Sequence, residues 1–305
     1  MAENQYELMI VGTGPAGLTA AIYAQRLGIK TVVFGDTPGG NIYMIENLTN
    51  FPGLTGEVAG DQFGATAFAQ AKKEGAFLPM TRLTLLSHDG EQFMGIDSNS
   101  RQYFATSALI ACGVSPIRLE VPNANKKGIF YSSLRDGPSF RNQKATLAVI
   151  GEGRLAAQES LWLSRFAERV ILICQDGELK AESAMISAVE KKENIYALLN
   201  TRVVSFVGHD KIEGILIIIK GKEKKKIRVN GVCTAIGWKP NLEMLKISVQ
   251  TTDEGFVKTD EKLMSSFPGL FAAGDVRDTD MRQVITTCAD GARAALYALR
   301  FLEGI

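Results

Sequence analysis

Tyr6-Glu7-Leu8-Met9-Ile10-Val11-Gly12-Thr13-Gly14-Pro15-Ala16-Gly17 is an apolar strand running into a glycine turn, and Leu18-Thr19-Ala20-Ala21-Ile22-Tyr23-Ala24 opens an alanine-rich helix behind it. A second strand, Thr31-Val32-Val33-Phe34, ends at Gly35-Asp36. Asp36 lies nineteen residues beyond Gly17, the offset at which a dinucleotide-binding βαβ unit carries its ribose-binding acid. Gly12 permits the tight turn, Gly14 lets backbone approach a pyrophosphate, and Gly17 lets helix pack on strand. The helix N-terminus then turns its N–H groups and the positive end of its dipole toward the phosphates.

A poorer copy stands mid-chain. Residues 145–150 predict a strand, Gly151-Glu152-Gly153-Arg154-Leu155-Ala156 a turn, 157–166 a helix and Arg169–Ile173 another strand. The steric glycines are kept, but Glu152 puts a carboxylate inside the turn, where it repels a pyrophosphate. Two readings stay open at this point: a fold kept with its ligand lost, and a working nucleotide site. The stretches 77–97 and 203–232 are strand-rich connectors. Residues 220–228 (Lys-Gly-Lys-Glu-Lys-Lys-Lys-Ile-Arg) predict a basic hairpin tip. Such runs are mostly solvated faces, with docking of an acidic protein as the alternative.

Composition bounds the function. The 305 residues suggest two domains, and 46% hydrophobic with 22% charged residues is globular composition. No apolar run reaches membrane-spanning length, and the polar, acidic start argues against a secretory signal. A net charge of +1 gives no case for a nucleic-acid partner. Cys112, Cys174, Cys233 and Cys288 lie far apart with no Cys-x-x-Cys and no zinc spacing. With only His88 and His209, both read as loop residues, no metal site is expected. The sparse cysteines fit a reducing cytoplasm.

Further motifs follow in a telling order: Gly39-Gly40-Asn41 then Glu46-Asn47-Leu48-Thr49-Asn50-Phe51-Pro52-Gly53; Ala111-Cys112-Gly113; and Gly269-Leu270-Phe271-Ala272-Ala273-Gly274-Asp275-Val276, with Arg282-Gln283-Val284 and a closing helix. On these motifs the chain resembles the low-molecular-weight thioredoxin reductases over essentially its whole length. The resemblance implies an α/β protein with two Rossmann-like, three-layer β/β/α FAD/NAD(P)-binding domains of the two-dinucleotide-binding-domain flavoprotein type. It implies one non-covalent FAD per subunit. The expected contacts are Gly12, Gly14, Pro15, Ala16, Gly17, Gly35, Asp36, Gly40, Asn41, Asn50, Gly113, Gly274, Asp275, Arg282, Gln283 and Val284. In the family the aspartate at Asp275 holds the ribityl chain, and the stretch at 282–284 contacts the isoalloxazine. A discontinuous FAD domain (1–114 plus 243–305) would enclose a central NAD(P)H-domain-like unit (115–242), and such proteins are usually homodimers whose middle domain rotates.

Two departures redirect the chemistry. The family's dithiol lies in a Cys-x-x-Cys-Asp-Gly segment, and the corresponding stretch is Tyr131-Ser132-Ser133-Leu134-Arg135-Asp136-Gly137. Ser132 and Arg135 replace the cysteines, and a serine cannot form a disulfide, so thioredoxin reduction by the family mechanism is not expected. The family's His-Arg-Arg cluster for the NADPH 2′-phosphate is matched by Cys174-Gln175-Asp176, an anion where guanidinium forks should be. NADPH is therefore the worst nicotinamide candidate. NADH is less penalised, because Asp176 could accept from a ribose hydroxyl.

The leading expectation is a thioredoxin reductase-like electron-transfer oxidoreductase, independent of pyridine nucleotides and fed by a small acidic ferredoxin- or flavodoxin-like carrier. The rivals are an NADH-dependent reductase of a small acceptor and a catalytically idle FAD-binding redox sensor. Without a nicotinamide, the flavin's second face is left for an aromatic such as Tyr131 or for a second stacked flavin. Arg135 near the flavin would stabilise its reduced form, with a surface ion pair as the alternative. Cys288, close to a helix N-terminus, is a candidate reactive thiol, with inert core as the alternative.

Overall fold

The computed structural model describes residues 4–56 and 58–305. Strands and helices run in the order β1 (Gln5–Val11), α1 (Pro15–Arg26), β2 (Thr31–Phe34), α2 (Gly60–Lys73), β3 (Leu83–His88), β4 (Phe93–Asp97), β5 (Gln102–Ile110) and β6 (Val114–Pro116). Then come β7 (Ile129–Phe130), α3 (Ser133–Asp136), β8 (Thr146–Ile150), α4 (Arg154–Leu163), β9 (Arg169–Ile173), α5 (Ser183–Glu190) and β10 (Ile195–Leu198). The chain ends with β11 (Thr201–Val207), β12 (Gly214–Ile219), β13 (Glu223–Arg228), β14 (Gly231–Thr234), β15 (Trp238–Pro240), β16 (Leu270–Ala272) and α6 (Val284–Glu303). It divides into two compact units, Met1–Ser115 with Lys239–Ile305, and Pro116–Trp238.

In the first unit β2, β1 and β5 are parallel, and β3–β4 forms an antiparallel hairpin on β5. β5 is long enough for its outer edge to carry β4 on Gln102–Ala105 and the late strand β16 on Ala108–Ile110. Side chains of β1 alternate between two cores: Leu8 and Ile10 face the cluster with α1 and α6, while Met9 and Val11 face the β3–β4 side. Both faces of the sheet are covered, so the strands read as apolar runs.

The second unit repeats the scheme. Five parallel strands in the order β10-β9-β8-β14-β7 are flanked on one face by α4 and α5. On the other face lies the antiparallel meander β11-β12-β13. Leu147 and Val149 point to the helical side, Ala148 and Ile150 to the meander. The fold is thus the expected three-layer pair.

Several local expectations are corrected. α1 begins at Pro15, which suits the first helical position because its missing N–H has no partner to lose, and α4 begins at Arg154 rather than 157. The basic run holds the expected hairpin, but only 220–222 form its tip, and 223–228 form the edge strand β13. Lysines along an exposed edge block pairing with another chain. His88 ends β3 and packs edge-on against Phe93 and Phe267, with centroids 4.8 and 5.0 Å away. Among the described residues no helix is long and apolar enough to cross a membrane, and no His/Cys/Asp/Glu cluster could hold a metal.

Candidate active site

The first glycine turn is built by close backbone contacts. Gly12 has φ +126° and donates from its N–H to Phe34 O at 2.7 Å; a Cβ there would lie 2.1 Å from Ala111 O. A Cβ on Gly17 would lie 1.9 Å from Gly12 O. Helix α1 therefore sits directly on the end of β1. The first N–H groups of a helix lack intrahelical partners, so those of Ala16 and Gly17, behind Gly14 and Pro15, are presented to an anion at this spot.

Of the other predicted residues, Gly35, Gly40 and Gly274 lie against this turn or helix end. Gly39 N–H bonds Thr13 O at 2.8 Å, and a Cβ on Gly40 would lie 3.3 Å from Gly14 Cα. A Cβ on Gly35 would meet Thr13 Oγ1 at 2.2 Å, and one on Gly274 would meet the Ala16 methyl at 3.1 Å. Asn41 donates from Nδ2 to Val114 O at 2.6 Å, beside Gly113. Asn50 donates from Nδ2 to Gln283 Oε1 at 2.9 Å, and Gln283 caps α6 through a reciprocal bond pair with Thr286 just ahead of Val284.

The charged members are set as a cofactor cradle requires. Asp36 is exposed and accepts from Arg82 Nε at 2.5 Å and from Thr37 Oγ1 at 3.1 Å. Desolvation opposes its charge, but the bonds from Arg82 and Thr37 prevail and hold the carboxyl below the usual range. Asp275 is half-buried, and loss of water pushes its carboxyl up against the pull of Arg282 and a 3.2 Å bond from Thr287. Arg282 stacks 4.2 Å above the Phe256 ring and donates to Thr279 O, yet its Nε is buried without a partner, as is Asn47 Oδ1. Buried polar atoms cost free energy when unpaired, so the orphaned Arg282 Nε, on a side chain whose charge acts on Asp275 beside Gly274, fits a polar cofactor.

Sequence reasoning missed the brace beneath this site. Asp290 on α6 accepts from Gly274 N–H at 3.1 Å and from Arg277 Nε at 2.7 Å. Its signal was an acid on the alanine-rich face of the closing helix. Gly291 was also missed; a Cβ there would lie 2.2 Å from Ala16 O.

The other candidates make contacts of their own. Arg135 forks onto its neighbour Asp136, Nη2 to Oδ2 at 2.8 Å, so the ion-pair alternative holds. Tyr131 packs against Trp238, with centroids 6.0 Å apart. Burial raises the Cys288 thiol despite a bond from Thr19, which fits the inert-core alternative and not the helix-activated thiolate. Cys112 and Cys174 are pushed up to about 12 and about 11, chiefly by burial. All four cysteines are free.

In the second unit, Gly151 has φ +151° and α4 opens behind Gly153. Glu152 Oε2 accepts the Asp176 N–H at 3.1 Å, and Lys180 pairs with the Asp176 carboxylate. The Lys180 N–H bonds Glu152 O at 2.6 Å, and Arg154 reaches Glu182 at 3.5 Å. Asp176, expected as a ribose acceptor, is already ion-paired.

Two glycine-turn α/β units, one lined for a flavin dinucleotide, define the class of two-domain FAD-dependent oxidoreductases. The chain belongs to the pyridine nucleotide-disulphide oxidoreductase family, whose pattern matches residues 6–291. It is 32% identical over 310 residues to the 34.2 kDa protein in the rubredoxin operon of Clostridium pasteurianum, covering 99% of both chains. It is also 32% identical to the thioredoxin reductase of Treponema pallidum, covering 99% of this chain and 98% of that one. The crystal structure of the Streptococcus pyogenes thioredoxin reductase superposes with TM-score 0.91 at 27% identity, covering 100% of each.

Proposed function

We propose that this thioredoxin reductase-like flavoprotein is an electron-transfer oxidoreductase without the family dithiol, independent of pyridine nucleotides and fed by a ferredoxin- or flavodoxin-like carrier. The observation that carries this is the 131–137 segment. Where the resemblance calls for two thiols it has Ser132, which leads into α3, and Arg135, which is spent on Asp136. The second glycine turn supports nucleotide independence, because Glu152 and Asp176 put two carboxylates where a dinucleotide brings further negative charge. The relative in a rubredoxin operon supports an electron-carrier partner.

Bound FAD would supply the capacity to take up and pass on electrons. The chain's own residues bind and orient it. The α1 N-terminus would hold the pyrophosphate, Asp36 the adenosine ribose and Asp275 the ribityl hydroxyls. Arg282, Gln283 and Val284 would hold the ring, and the Arg282 charge would favour electron uptake there. A cytoplasmic homodimer with one flavin per chain completes the proposal.

The test is an anaerobic absorbance titration following flavin bleaching with NADPH, NADH and reduced ferredoxin in turn. Bleaching by ferredoxin alone is expected. Fast bleaching by either nicotinamide overturns nucleotide independence, and no bleaching by any donor favours the idle redox sensor. The flavin-to-chain ratio from the same spectra, expected to be one, would read two for a stacked pair.

A further inference from the structure

The second glycine turn keeps the backbone course of the first while its contents differ. A Cβ on Gly151 would lie 2.3 Å from Ala235 O, just as one on Gly12 would lie 2.1 Å from Ala111 O. Both helices open behind the second glycine of their turn, at Pro15 and Arg154. The fold has therefore not collapsed. In a dinucleotide-binding βαβ unit, the space between the glycine turn and the end of the second strand takes the adenosine ribose, which bonds to the acid at that strand end.

Here that space is bridged from within. Glu152, the middle residue of the turn, reaches across so that Oε2 accepts the N–H of Asp176, three residues beyond β9. Residues 176–182 are fastened across the turn at both margins: Lys180 through its N–H to Glu152 O and through Nζ to Asp176, and Glu182 through Arg154. Lys180 Nζ also lies 4.0 Å from Glu152 Oε1, so the intruding carboxylate has its own counter-charge. A charge brought into a turn without a partner would be expelled toward water; this one is held.

The geometry assigns Glu152 as a specificity-determining residue: its side chain occupies, in cis, the ribose position of the second unit and so closes that unit to adenine dinucleotides. The inference rests on the nucleotide independence proposed above and names its cause. It predicts that the site is shut by one side chain rather than lost by drift. Removing that side chain opens it to NADH in preference to NADPH, since Asp176 repels a 2′-phosphate and accepts from a ribose hydroxyl.

The experiment titrates the FAD-loaded protein with NADH and follows quenching of tryptophan fluorescence, to which Trp162 and Trp238, both in this unit, contribute. Wild type is compared with E152G, E152A and E152Q. Glycine and alanine cannot reach the Asp176 N–H, whereas glutamine keeps an acceptor over it without the charge. E152G and E152A are expected to bind NADH at least about tenfold more tightly than wild type, and E152Q to stay within about threefold of it. Equal gains in all three variants would mean exclusion by charge and overturn occupancy. No gain in any variant, with wild type not binding, would overturn the role of Glu152 while nucleotide independence stands. Tight binding by wild type would overturn both. E152A keeps the test open if glycine loosens the turn, and FAD content and melting temperature confirm that each variant is folded.

Discussion

The Asn50 side-chain amide donates to Gln283 Oε1 at 2.9 Å, joining the loop after the first βαβ unit to the cap of the closing helix across 233 residues of sequence. This bond locks the two halves of a discontinuous domain at the place assigned to the flavin ring. A neutral hydrogen bond contributes about 1 kcal/mol net, so N50A is expected to weaken FAD binding about fivefold. Release of FAD followed by its fluorescence checks this, and unchanged affinity would place the joint outside the cofactor site.

Asp290 and Arg277 form a largely buried pair, with side chains 11% and 19% exposed, and Asp290 also anchors Gly274. D290A leaves the guanidinium and the Gly274 N–H without their acceptor, at a cost of about 3 kcal/mol. Urea unfolding should show this loss, with D290N falling in between because its carbonyl oxygen can still accept from Gly274. A loss below about 0.5 kcal/mol would show the pair to be superficial.

At Gly291 the helices α1 and α6 touch through backbone. An added methyl, 2.2 Å from Ala16 O, forces α6 off the helix that presents N–H groups to the pyrophosphate. G291A should cost about 1–3 kcal/mol, and the purified variant should carry less FAD than wild type. Full flavin content at wild-type stability would mean that the helices can separate freely.

Glu159 is 3% exposed and accepts the Ser133 N–H at 2.6 Å. Burial raises its carboxyl above the ordinary value of 4.5 despite the bonds from Ser133 and Cys233. The native state then holds a proton that the unfolded chain has released, so stability falls as pH rises from about 4.5 through the raised folded value. E159Q, neutral throughout, should flatten that part of the stability–pH curve. An unchanged slope would assign the pH dependence to other groups.

The thiols should be unreactive. With Cys112 pushed up to about 12 by burial, only about one molecule in ten thousand carries its thiolate at pH 8. Alkylation of the native protein should be slow, and replacing all four cysteines by serine should leave flavin bleaching by the carrier unchanged. Loss of that bleaching would restore a role for thiols.

Much of the fold is readable along the chain because its causes are short-ranged. Gly17 is demanded by a contact within one βαβ unit, and the two-residue alternation of Leu8, Met9, Ile10 and Val11 reflects a sheet covered on both faces. The turn and the Asp36 spacing were legible for the same reason, whereas the late Gly274-Asp275 motif was legible only through the family resemblance. What stayed hidden was the partner of each charge. Glu152 was readable as an intruder, but not that it caps Asp176 from 24 residues away. Asp290 could not be matched to Gly274 without α6 lying where it does. For Cys288 the choice between a helix-activated thiol and inert core depended on its packing, which raises the thiol. Local sterics are written into neighbouring residues, whereas desolvation and charge pairing depend on segments that only the folded chain brings together.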